Sequence, residues 1–242
     1  TAFTWVFVMQ FDKLLLSKLL PLELFGYFSF VVILSNGVTR ISDPINLAVL
    51  PRLTALVARG ETRAARALYR RTTQLLAVVS FPTAAVIAVF SAQTLFLFSG
   101  NRALTDYGAP ALFWYSLGNG VLVMSSLLFT LQAAHGQLRL HVLNSTYGAL
   151  FQVPLLAFVA INYDVVALGT AWLAVRLVMF AILSPFVHCR FRQGRYMSWL
   201  VGDIGVPLAG TAAGVGLSLA LDSFVFHSAE ITERSLLLLI LM

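Results

Sequence analysis

Residues 29–51 (SFVVILSNGVTRISDPINLAVLP) read as a membrane-spanning helix that carries Arg40 and Asp43 near its middle. On a helix of 3.6 residues per turn, Asn36, Thr39, Arg40, Asp43 and Asn46 share roughly a third of the circumference. Phe30, Val31, Ile33, Leu34, Val38, Ile41, Ile45 and Leu47 occupy much of the remainder. An arginine and a carboxylate three residues apart can meet on one face. A charge at mid-membrane costs about 2.5–3.5 kcal/mol or more, so such a stripe must face protein or water. The stripe is therefore expected to point into a helix bundle or a cavity.

The rest of the chain is built for the same solvent. Of its 242 residues, 59% are hydrophobic and 11% charged, and mean hydropathy is +0.87. This composition excludes a soluble domain and predicts an all-α, polytopic membrane helix bundle. Windows long enough to cross about 30 Å of hydrocarbon are expected at 1–20, 24–50, 74–98, 110–133, 141–161, 165–187 and 200–221. An eighth begins at Ser235 and is cut off. The chain opens on Thr1 inside an apolar run, which reads as a segment of a longer polypeptide. The single cysteine, Cys189, supports no disulfide framework.

Connector chemistry alternates. Arg52, Arg59, Arg63, Arg66, Arg70 and Arg71 fill the second connector, Arg139 the fourth, and Arg190, Arg192 and Arg195 the sixth. The odd connectors hold only Lys18, Arg102 and Arg234, with Glu23, Asp106, Asp164, Asp222, Glu230 and Glu233. By the positive-inside rule the even connectors are cytoplasmic. Span 1–20 then runs outward and the following span runs back in. Segment 61–74 (ETRAARALYRRTTQ) suits a short helix on the anionic cytoplasmic leaflet, with Arg63, Arg66 and Arg70 on one side. It belongs to an amphipathic linker over about 55–73, and a purely topogenic charge cluster is its simpler reading. Pro82 is expected to kink the third span. Ser99-Gly100-Asn101 reads as a tight outer turn, and the small residues around Gly118 as a close helix contact. Span 200–221, glycine-rich and with Asp203 near its cytoplasmic end, is expected to be peripheral packing.

Some chemistry is not written here. The sequence contains no G-x-x-x-x-G-K-[ST] phosphate loop. His135, His141, His188 and His227 lack metal-ligand spacing and read as interfacial residues. No catalytic residue, metal site or cofactor is expected, and no nucleic-acid partner. What remains is an intramembrane set: Asp12, Lys13, Arg40, Asp43 and Arg176, with Asn36 and Asn46 beside it. Ionisable residues at membrane depth are functional candidates. The structural alternative is that Arg40 and Asp43 bridge helices and Lys13 snorkels to the outer interface. Three cations against two anions leave this half of a bundle net positive, which attracts a phosphate-bearing substrate with arginine as its bidentate partner.

The runs FDKLLLSKLLPLELFGYFSF, RISDPINLAVLPRLTALVARGETRAARALYRRTTQLL and FPTAAVIAVFSAQTLFLFSG resemble the polysaccharide transporters, or oligosaccharide-lipid flippases, of the multidrug/oligosaccharidyl-lipid/polysaccharide exporter superfamily. The carrying features are Asp12, Lys13 and Ser17, then Gly26-Tyr27, Pro51-Arg52-Leu53, the arginine-bearing linker and Phe81-Pro82. The resemblance covers about the first hundred residues. It implies two six-helix lobes around a cationic cavity, with residues 1–187 as the second lobe and 188–242 as an extra helix pair whose last member is truncated. It further implies movement of undecaprenyl-diphosphate-linked oligosaccharide, as an O-antigen or exopolysaccharide repeat unit, across the bacterial inner membrane. The expected mechanism is alternating access coupled to a proton or sodium gradient. Membrane lipids, and glycan polymerase or assembly proteins, are the candidate partners. A drug or metabolite antiporter of the same superfamily, a membrane-embedded glycan polymerase or ligase, and an assembly subunit without transport stand as alternatives.

Overall fold

The computed structural model describes residues 17–18, 21–191 and 194–225. Candidates Asp12 and Lys13, His227, most of span 1–20 and the eighth span lie outside the described residues. Within them the chain is helical: α1 (Leu22–Ser35), α2 (Gly37–Ala58), α3 (Thr62–Val89), α4 (Ser91–Ser99), α5 (Arg102–Ala134), α6 (Arg139–Asn162) and α7 (Val165–Arg190). The last segment is a short α8 (Tyr196–Trp199), a π-helical stretch (Leu200–Gly205) and α9 (Val206–Val225). Six helical segments are long and apolar enough to cross a membrane, with α1 and α2 forming one and α8 through α9 another. The expected polytopic helical bundle is what the chain folds into.

Helix ends follow local chemistry. Gly100 adopts φ 63°, a left-handed conformation that closes α4 and that glycine takes without a Cβ clash. Asn101 then caps α5, its Oδ1 accepting from the Leu104 N–H at 3.1 Å. This is the tight turn expected at 99–101. Asp164 caps α7 in the same manner, accepting from the Ala167 N–H at 2.8 Å.

Two boundaries differ from the sequence reading. The arginine-rich segment is not a separate surface helix. After a tight turn at Arg59-Gly60-Glu61, α3 runs unbroken from Thr62 to Val89, so the arginines ride on the first turns of a span. Its strong helix formers continue directly into the apolar run, and nothing between them stops the hydrogen-bond ladder. Pro82, expected to kink this span, lies inside α3, and the single span expected over 74–98 divides at Phe90 (φ −100°, ψ 34°) into α3 and α4. A membrane helix tolerates an internal proline where neighbouring helices support it.

Helix α5 is the axis of the bundle, in contact with α1, α2, α3, α4 and α7. One apolar cluster gathers Leu53, Leu76, Leu127, Leu131, Val187 and Trp199. A second gathers Phe28, Val31, Leu112, Tyr115, Leu168 and Trp172. The α5–α7 contact depends on small residues. A Cβ added to Gly118 would lie 2.6 Å from Trp172 Cδ1, and one on Gly169 would lie 2.9 Å from Trp114 Cβ. Trp172 stacks on Tyr115 at 5.5 Å between ring centroids and is buried, so it has nowhere to swing. Gly118→Ala is therefore expected to cost about 1–3 kcal/mol through overpacking. A thermal melt of the purified full-length protein should show a lowered Tm. Gly210→Ala, where nothing lies within 4 Å of the new methyl, should leave Tm unchanged.

Candidate functional site

The polar stripe straddles two environments. Asn36 sits at the junction of α1 and α2, where the chain leaves one helix and begins the next. Its Oδ1 accepts from Asn119 Nδ2 of α5 at 3.3 Å, and Asn119 also donates to Ser35 Oγ at 3.3 Å. Nearly three turns further, Asn46 Nδ2 donates to Ser126 Oγ at 2.8 Å, while Thr130 Oγ1 donates to Asn46 Oδ1 at 3.3 Å. Thr39 bonds back to the Asn36 carbonyl at 2.8 Å. One edge of the stripe thus serves as polar glue between α2 and α5, a use suited to a solvent that offers no competing partners.

The other edge carries Arg40 and Asp43, and no described element covers it. Both residues are exposed, together with Ile33, Ile41, Pro44 and Leu47. Among the described residues Arg40 and Asp43 form no ion pair with each other; the ion pairs there are Arg59–Glu61 at 2.8 Å and Arg70–Asp203 at 2.6 Å. The same face bears two backbone irregularities. Pro44 and Pro51 lie inside α2, and proline has no N–H, so the carbonyls of Arg40 and Leu47 lack their usual i+4 donors. Two charges and two under-bonded carbonyls on one face are incompatible with hydrocarbon. This face is built to meet protein or water.

Arg176 has a different setting. It is 7% exposed, and its guanidinium lies 4.0 Å from the centroid of the Trp172 ring on the same helix. Trp172 stacks on Tyr115, and Tyr115 meets Phe28 edge-on at 5.7 Å. A guanidinium over an indole face is a cation–π contact, stronger where water is excluded. The sequence shows no acid near Arg176; its stabilising neighbour is aromatic.

The surface arginines also divide. Arg63 and Arg66 are exposed, and a side chain added at Gly194 would meet the Arg66 guanidinium at 3.6 Å. Arg70 is drawn into the bundle. Its Nε and Nη2 donate to Asp203 Oδ2 and Oδ1 at 2.6 and 2.9 Å, and Gln74 Nε2 donates to the same Oδ1 at 2.7 Å. Asp203 is fully buried. Beside it, Trp199 Nε1 donates to Thr73 Oγ1 at 3.1 Å. The segment expected to be peripheral is therefore docked on α3 through a buried carboxylate. His188, read as interfacial, is likewise buried, at 2% exposure. Neither carried a sequence signal: Arg70 lies far from Asp203 along the chain, and His188 is enclosed by the distant Tyr69 together with Tyr196 and Trp199, which a turn folds back onto it.

These features define a multi-pass helical membrane protein with two charged residues on a helix face that no described element covers. Residues 1–105 match the family model described as polysaccharide biosynthesis protein. No curated protein and no solved structure matches the chain. The fold, with six described segments long and apolar enough to cross a membrane, is compatible with a transporter.

Proposed function

We propose that this chain supplies the second lobe of a flippase that moves undecaprenyl-diphosphate-linked oligosaccharide across the bacterial inner membrane. The observation that carries the reading is the α1–α2 face that no described element covers, with Arg40, Asp43 and the irregular backbone around Pro44. The match of residues 1–105 to a polysaccharide biosynthesis family supports it from another direction. On this reading residues 1–187 form the lobe, residues 188–242 the extra helix pair, and the uncovered face lines a cavity shared with the other lobe.

The chemistry follows from the substrate. A diphosphate cannot enter hydrocarbon without replacement of its water. Arg40 offers a fork of N–H donors that matches phosphate oxygens two at a time. Lys13, with Asp12 beside it, assists from the first span, and Asn36 and Asn46 hold α2 against α5 so that Arg40 keeps its position. Asp43 balances the cavity's charge when it is empty, or takes up the coupling proton. The polyprenyl tail stays in the bilayer, and rocking of one lobe against the other changes the side to which the cavity opens. Arg63 and Arg66 rest on anionic lipid at the cytoplasmic surface.

The test is transport by the full-length protein in sealed vesicles loaded with fluorescent lipid-linked oligosaccharide. Movement between leaflets is read by lectin capture, with and without a proton or sodium gradient. The expected result is gradient-dependent movement well above protein-free vesicles. No movement of this lipid alongside exchange of a cationic drug would replace the reading with an antiporter. Appearance of longer glycans would replace it with a polymerase.

A further inference from the structure

Where α3, α7 and α8 converge, His188 is enclosed by aromatic rings. Trp199 lies 4.1 Å from it between ring centroids, Tyr196 5.4 Å and Tyr69 5.7 Å. Tyr69 and Trp199 stack on one another at 6.2 Å, and both are buried. His188 Nδ1 lies 3.0 Å from the Ser184 carbonyl. A carbonyl only accepts, so Nδ1 carries the proton and Nε2 presents a lone pair. Among the described residues that Nε2 has no hydrogen-bond partner, and neither does the Tyr69 hydroxyl. A buried polar atom left unpaired costs about 1–3 kcal/mol, and two of them in one aromatic pocket call for an explanation.

We propose that His188 is a proton-binding site that controls how α8 and the π-helical stretch dock on the lobe. With the imidazole neutral, the pocket is closed. Tyr196 Oη pairs with Ser184 Oγ at 2.9 Å, Trp199 bonds Thr73, and Asp203 holds Arg70 and Gln74. A proton arriving from water takes the Nε2 lone pair and makes the ring an imidazolium with a new N–H donor. Around it stand the rings of Tyr69 from α3 and Tyr196 from α8, and the Asp203 carboxylate of the π-helical stretch acts on it electrostatically. The aromatic faces give a cation about 0.5–2 kcal/mol, less than the several kcal/mol needed to bury an ion. The remaining acceptor of full charge is Asp203, and its oxygens are engaged by Arg70 and Gln74. The imidazolium must either pull Asp203 from Arg70 or leave the pocket. Either course loosens the docked segment. The π-helical geometry of 200–205 suits a segment that changes register, since such turns recur at functional positions.

The experiment places spin labels at Ala67 on α3 and Ser198 on α8, both exposed, in full-length protein whose native cysteines, Cys189 included, are serine. Distances are measured in nanodiscs at pH 8 and pH 5.5. A narrow distribution at pH 8 should broaden or lengthen at pH 5.5, and H188F should stay narrow at both. H188Q, neutral and hydrogen-bonding, serves if H188F misfolds, and H135Q and H141Q should keep the wild-type response. A distribution that ignores pH, or a response that survives the loss of His188, overturns the proposal. So does a response lost in H135Q or H141Q instead.

Discussion

Replacing Arg40 with alanine in the full-length protein is expected to abolish glycan export while leaving membrane insertion intact. The residue is exposed on α2 and has no ion pair within the described chain, so its removal takes little from the fold. If its task is to bind a diphosphate, removal leaves a desolvated charge unmatched. Truncating one member of such a pair costs about 2–5 kcal/mol, or roughly 30-fold or more in affinity. On the proposed function, cells lacking the native protein and carrying this variant should show little surface glycan and accumulated lipid-linked precursor. Lysine at position 40 separates charge from geometry. It keeps the charge but not the planar fork, so partial rescue is expected. Normal export by both variants, at normal protein levels, would show that Arg40 is structural and return attention to the antiporter and assembly-subunit readings.

The second large effect is expected far from that face. Arg70→Ala leaves the Asp203 carboxylate buried with only Gln74 as donor, a change that typically costs about 3–5 kcal/mol. Asp203→Ala should cost less, about 1–3 kcal/mol, because the Arg70 side chain is 41% exposed and turns to water. The double variant should therefore be more stable than Arg70→Ala alone, since it buries no orphan charge. Thermal melts of the purified full-length protein give the order: wild type highest, Arg70→Ala lowest. If each single variant melted with the wild type, the pair would contribute nothing to docking, and α8 would be held by Trp199 and its neighbours alone.

Much of this molecule was legible from residue types taken one window at a time. Apolar runs long enough to cross a bilayer, and arginines on alternate connectors, are local properties. Both survive into the fold because hydrocarbon leaves a backbone few choices but helix. The close α5–α7 crossing was foreshadowed by Gly118, and the tight turn by Gly100 and Asn101. Charges in the middle of 29–51 marked a face that lipid cannot cover, whatever packs around it.

Tertiary structure alone decided how that face is shared. Asn36 and Asn46 lie on the stripe with Arg40, yet they turn to Asn119, Ser126 and Thr130, while no described element covers Arg40 and Asp43. A helical wheel gives the angle of a side chain but not the direction from which a neighbour arrives. The same limit hid the docking of Asp203 on Arg70 and the enclosure of His188. Their partners are brought together by helix crossings between residues more than a hundred positions apart, or by a turn that sequence spacing does not encode. Local chemistry determined the spans and the face that needs a partner. The packing of α5 against α2, and of α8 against α3, determined which polar groups are glue and which are left for function.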